Sequence, residues 1–113
     1  MSIPVDRRHY QRVEVNWPAT ITINNKVVEG EINNISVQGL SINCDEALHL
    51  GEAYTIEISP PNYEVIQISG KVIWSDLCAI DDDNKTVGIG VCIVKILDKD
   101  QKYFKDFVSA NII

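Results

Sequence analysis

A chain of 113 residues has the size of one ordinary domain and can bury a single hydrophobic core, not two. With 45% apolar and 23% charged residues it falls outside the disordered and fibrous classes, and a formal net charge of −6 opposes long-range attraction to DNA, RNA or anionic lipid. No apolar run approaches the roughly 18 residues of a membrane span, and the N-terminus lacks the basic-then-apolar layout of a secretory signal, so a cytoplasmic protein without membrane insertion is expected.

Residues 1–12 are polar and aperiodic, with Pro4 opposing regular structure, and are expected to form a mobile arm. From Trp17 the pattern becomes that of strands. Ala19, Ile21 and Ile23 alternate with Thr20, Thr22 and Asn24, the period of two of a half-buried strand. A turn is expected at Asn24 and Asn25. Val28, Gly30 and Ile32 then alternate with Glu29, Glu31 and Asn33, and after a further turn Leu40, Ile42 and Cys44 alternate with Ser41 and Asn43, which completes a three-stranded meander.

Asp45 to Gly51 reads as a loop or a short helical turn. Tyr54, Ile56 and Ile58 make a fourth strand, stopped by Pro60 and Pro61, which cannot donate to a ladder. Ile66, Ile68, Val72 and Trp74 belong to a long fifth strand, in which Gly70 suggests a bulge or a corner. Asp81 to Asp83 with Asn84 should be a solvated hairpin tip. Val87 to Ile96 is a sixth strand, whose Gly88 and Gly90 would let something pack close to the backbone. Asp98 followed by Gln101 has the form of a capping box, and Phe104, Phe107 and Val108 recur at helical spacing, so a helix is expected over 98–110. Six antiparallel strands must hide their edges, and closure into a barrel with the helix over one opening does so. The expectation is one all-β domain over 1–113: an arm at 1–12, a six-stranded antiparallel β-barrel at 17–96 and a C-terminal helix.

Two motifs stand out. Arg8 and Arg12 form RxxxR, with Arg7 just ahead, and after 21 intervening residues Asn34, Ser36 and Gly39 form NxSxxG. Guanidiniums are always charged and grip phosphate oxygens bidentately. The second motif has the composition of a tight turn, with Gly39 free to take a positive φ and Asn34 and Ser36 offering short polar groups. Arginine forks beside a polar turn suit a phosphorylated ligand that also carries bases, and an acidic surface around them lets a small anion bind while polymers are left alone.

In these two motifs, their order and the strand pattern around them, the chain resembles the PilZ domain, the bacterial receptor module for cyclic di-GMP, over nearly its whole length. The resemblance implies a split barrel of six strands with a C-terminal helix. It assigns phosphate and guanine recognition to Arg8 and Arg12, with Arg7 as a further contact that bears on whether one nucleotide or a stacked pair is held. Asn34 stands where many relatives have Asp and can accept from the N1 and N2 edge of guanine; Ser36 can bond the ligand or brace its own turn; Gly39 serves the geometry. The function so implied is a cyclic di-GMP receptor without enzymatic activity, whose arm orders on ligand binding. Because so short a chain offers no output domain, it is expected to signal in trans through a protein partner. A second reading is a PilZ-like adaptor that no longer binds nucleotide; a third, an oligonucleotide-binding barrel, is opposed by the acidic charge and by the lack of a basic and aromatic stripe.

Other signals are weaker. Cys44, Cys78 and Cys92 lack the spacing of a zinc site or disulfide framework. His9 and His49 are isolated, Asp81 to Asp83 lacks the spacing of a calcium loop, and no nucleophile sits in an activating context, so neither a metal, a cofactor nor a catalytic residue is expected. Asn34-Ile35-Ser36 spells a glycosylation sequon, which means nothing without secretion. Trp17 and Trp74 read as core or rim aromatics, Trp74 with the option of a stacking surface.

Overall fold

The structure is a computed structural model that describes residues 12–46, 48–79 and 85–111. Arg7, Arg8 and the run Asp81–Asp83, expected as a hairpin tip, lie outside the described residues. Six strands, β1 (Val13–Ile23), β2 (Lys26–Ile35), β3 (Gly39–Cys44), β4 (Ala53–Ile58), β5 (Ile66–Ala79) and β6 (Lys85–Ile96), precede one helix, α1 (Asp98–Asn111). The strands close into a barrel in the order β1-β2-β3-β6-β5-β4, every pairing antiparallel.

The alternation read along the chain becomes the inside of the ring. Ile21, Ile32, Ile42, Ile56, Ile58, Ile66 and Ile89 are fully buried, and β-branched side chains suit a pleated, packed surface. The Asn24–Asn25 turn is present, with Asn24 at φ 56, a conformation that asparagine tolerates better than most residues. Asp45 to Gly51 is a loop, not a helical turn, among its described residues. Its end is tied to β5 by Gly51 N–H donating to the Val72 carbonyl at 2.8 Å and Val72 N–H donating to that of Glu52 at 2.9 Å.

Several boundaries differ from the sequence expectation: β6, expected from Val87, starts at Lys85, and the helix, expected to end at 110, runs to Asn111. β1 starts at Val13 rather than Trp17, because Val13-Glu14-Val15-Asn16 already alternates and Glu14 pairs with Asn34. Arg12 is therefore fixed at the foot of a strand. At the helix, the Leu97 carbonyl accepts from the amides of Asp100 (3.0 Å) and Gln101 (2.9 Å). Leu97 is thus the cap and Asp98 the first helical residue, one position inside the expected capping box. The carboxylates of Asp98 and Asp100 still favour the positive end of the helix dipole.

Helix α1 covers the barrel opening with aromatic side chains. Trp17, 3% exposed, packs on Phe104 with ring centroids 6.4 Å apart and meets Phe107 edge-on at 5.1 Å; Tyr63 stacks on Tyr103 at 3.9 Å. Trp17 is therefore a core aromatic. Asp100 is buried beneath this layer, 1% exposed, and its carboxylate accepts from the Tyr63 hydroxyl at 3.0 Å, with Lys99 Nζ 3.6 Å from the same oxygen. Desolvation, and then the bond to Asp100, push the Tyr63 phenol above its ordinary pKa. Phe104 is 1% exposed at the centre of the layer. Truncation there leaves a void that the surrounding rings cannot close: Phe104→Ala should lower the unfolding free energy by about 3–5 kcal/mol, read from urea denaturation.

Candidate functional site

Strict alternation cannot place both Ile32 and Ile35 in the core, because they stand three residues apart. Both are nevertheless fully buried. A bulge makes this possible: Ile32 pairs with Ile42 and Asn34 with Ser41, so Asn33 is the extra residue in β2. The bulge returns Ile35 to the interior and turns Asn34 outward.

A second bulge does the same on the other side. Val72 pairs with Val91 and Trp74 with Gly90, which leaves Ile73 extra in β5. Val72 is in the core, and period two would have sent Trp74 in after it; the extra residue sends the indole out, where Trp74 is 39% exposed. A third irregularity lies where Gly70 was expected to mark one, between Ser69 and Gly70.

The two redirected residues lie in one row across four strands. Asn34 on β2 pairs with Ser41 on β3, Ser41 with Gly90 on β6, and Gly90 with Trp74 on β5. Small residues in the middle and larger ones at the ends make a cleft of about 160 Å³ on the outer face of the barrel. Arg12 and Gln38 line it as well, with Cys92 and Ile73 toward β6 and β5. Arg12 is the one charged side chain among the described lining residues. The cleft thus combines a cation, an amide, an indole and a flat floor.

The turn between β2 and β3 is held by Ser36. Its backbone N–H donates to the Gly39 carbonyl at 2.8 Å, its hydroxyl donates to the same carbonyl at 3.2 Å, and the hydroxyl accepts from the amides of Gln38 (3.3 Å) and Gly39 (3.2 Å). A hydroxyl has one donor and two acceptor positions, and all are committed here. Of the two roles open to Ser36, bracing the turn is the one its bonds display.

Gly39 corrects an expectation. Among the described glycines only Gly51 has a positive φ, at 84. Gly39 is required for a different reason: a Cβ there would lie 2.4 Å from the Val91 carbonyl oxygen, so only glycine lets β3 approach β6. The expectation of close packing at Gly90 holds, and the neighbour is Trp74, whose Nε1 sits 2.0 Å from the position a Cβ would take.

The structure brings Arg12, Asn34, Ser36 and Gly39 together on this cleft, while Arg7 and Arg8 lie outside the described residues. It adds Gln38, Ser41 and Cys92, which sequence reasoning did not assign to a site, and Trp74, for which the sequence left a stacking surface only as an option. No group of acidic, histidine and cysteine side chains that could hold a metal occurs among the described residues. Burial raises the Cys44 thiol pKa, so this cysteine is a packed core residue rather than a nucleophile. No described helix is long and apolar enough to cross a membrane.

The family model that matches this chain is described as the PilZ domain and covers residues 6–110, both motifs included. The chain belongs to the PilZ domain family. Solved PilZ-type structures share its fold. The PilZ domain of YcgR from Escherichia coli, solved with c-di-GMP, is 15% identical with a TM-score of 0.76, over 93% of this chain and 91% of that one. The Bacillus subtilis inhibitor of motility MotI/DgrA is 17% identical, with a TM-score of 0.75 over 92% of this chain and 50% of that one. The K. pneumonia MrkH–c-di-GMP complex is 15% identical, with a TM-score of 0.78 over 91% and 51%. This PilZ chain therefore spans about half the length of MotI and MrkH. No curated protein matches it in sequence.

The two glycines separate crowding from backbone strain. In this PilZ barrel Gly51→Ala meets open space and should cost only the left-handed penalty, about 1–2 kcal/mol. Gly39→Ala must push two backbones apart and should lower the melting temperature further. Thermal unfolding of both variants followed by circular dichroism checks the order.

Proposed function

We propose that this PilZ domain is a cytoplasmic, non-catalytic receptor for cyclic di-GMP that signals through a protein partner. The observation that carries the reading is the convergence of Arg12, Asn34 and Trp74 on one cleft within a PilZ barrel. In this reading Arg12 and Arg8 grip the phosphates and the Hoogsteen edge of guanine, and Arg7 adds a contact to the same anion. Asn34 accepts from the N1 and N2 edge of a guanine without placing a carboxylate beside the phosphates. Ser36 and Gly39 act through the turn. Trp74 gives a base a flat aromatic face, an interaction worth about 1–3 kcal/mol per base. The YcgR domain and MrkH were solved with c-di-GMP, which supports the same ligand for this barrel.

On binding, the arm that carries Arg7 and Arg8 is held against the Ser36–Gly39 turn, and the partner reads the combined surface. Charge-assisted bonds to the ligand make each guanidinium count. Arg8→Ala, Arg12→Ala and Asn34→Ala should each weaken cyclic di-GMP binding, the arginine variants by at least roughly 1.5–3 kcal/mol, without lowering the melting temperature of the free protein. Arg12→Lys should not restore affinity, because an ammonium lacks the planar fork. Isothermal calorimetry of the wild type and variants measures this and also gives the number of nucleotides bound. A wild-type protein that gives no heat and no ligand-dependent rise in melting temperature would replace this reading with that of a PilZ-like adaptor working through protein contacts alone.

A further inference from the structure

The site carries a position whose role lies wholly in its missing side chain. Gly90 is buried on β6, between Ile89 and Val91, which are both buried in the core, so its own outward position is the floor of the cleft. That position is filled by the pyrrole edge of Trp74. A Cβ at residue 90 would lie 2.0 Å from Nε1, 2.2 Å from Cε2 and 2.5 Å from Cδ1. No real Cβ tolerates such distances, and three atoms of a rigid ring cannot be relieved by one rotation at a flexible tip. The indole therefore lies against the backbone of the neighbouring strand. This depends on the Ile73 bulge as well, which brings Trp74 opposite Gly90 on the outer face. Next in the row stands Ser41, the only other side chain between the indole and Asn34, and it too is short.

We infer that Gly90 is a positioning residue for the ligand: it seats the Trp74 indole low on the barrel and so fixes one wall of the cleft at the height where a purine base can meet both the indole and the Arg12–Asn34 side. With any side chain at position 90 the indole must lift or swing away. The base would then lose its aromatic partner even though every polar group of the two motifs is intact. The inference rests on the cyclic di-GMP reading for the identity of the ligand, but the seat itself is a property of the free protein. Stacking of a base on an aromatic ring is the interaction at stake, and its loss corresponds to a weakening of about five- to a hundredfold.

The test uses the full chain as the wild type, Gly90→Ala, Trp74→Ala and the double variant. Without ligand, the two indole N–H resonances of the ¹⁵N-labelled protein separate the seat from the fold. In Gly90→Ala the Trp74 resonance should shift and the Trp74 emission should become more accessible to acrylamide, whereas the resonance of Trp17, buried under α1, should stay in place. With cyclic di-GMP as the probe, calorimetry should show Gly90→Ala and Trp74→Ala each weakened by about five- to a hundredfold, and the double variant no weaker than Trp74→Ala alone. An unmoved Trp74 resonance in Gly90→Ala would overturn the inference. So would an equal loss of affinity on adding Gly90→Ala to the wild type and to Trp74→Ala, since Gly90 would then act through the backbone and not through the indole. If the wild type gives no heat with cyclic di-GMP, the receptor reading falls and with it the role of Gly90 toward this ligand, while the resonances still decide whether the seat exists.

Discussion

The demand that Ile32 and Ile35 both enter the core, at a spacing that a regular strand cannot satisfy, sets the rest of the structure. The barrel meets it with one extra residue, Asn33, and the outward display of Asn34 follows from that packing requirement. The same device at Ile73 keeps Val72 inside while turning Trp74 out. The candidate functional surface is thus built from departures from alternation, and each departure is enforced by apolar burial on the other side of the sheet. A bulge costs ladder hydrogen bonds, but core residues at spacing three cannot be buried without one.

This coupling explains what was legible in the sequence. The strands were readable because Ile, Val and Thr alternate along them, and the closing helix because Phe104, Phe107 and Val108 repeat at its period. Arg12, Asn34, Ser36 and Gly39 were readable as two short motifs. Trp74 was legible only as one option among core, rim and stacking roles, because its place depends on a bulge that only the pairing with β6 defines; read along its own strand, it belongs with Val72. The case of Gly39 is similar. Its local sequence suggests a turn that needs a positive φ, whereas the reason for glycine is the Val91 carbonyl, distant in sequence and brought near by the β3–β6 ladder. The start of β1 was legible in Val13-Glu14-Val15-Asn16 but was obscured by the polar stretch before it.

The division of labour within the site follows from the same geometry. Arg12 and Asn34 project from the outer face and carry no part of the core, so their chemistry can change without cost to folding. Ser36 and Gly39 belong to the turn and the strand contact that hold those groups in place. Arg12 is a cation in the cleft of a chain whose formal net charge is −6, and in the receptor reading proposed above that contrast favours a small anion over a long polyanion.

The ring is not equally strong all the way round. Its closing seam, β1 against β4, runs only from Ala19 to Thr22 opposite Thr55 to Ile58, whereas β5 and β6 pair along most of their length. In the order β1-β2-β3-β6-β5-β4 this short seam lies diametrically opposite β3 and β6, the two strands that form the floor of the cleft. Local opening follows the path of least paired backbone, so fluctuations that part the barrel should begin on the far side, away from the floor of the cleft. The shortest seam and the candidate cleft thus lie on opposite sides of one ring.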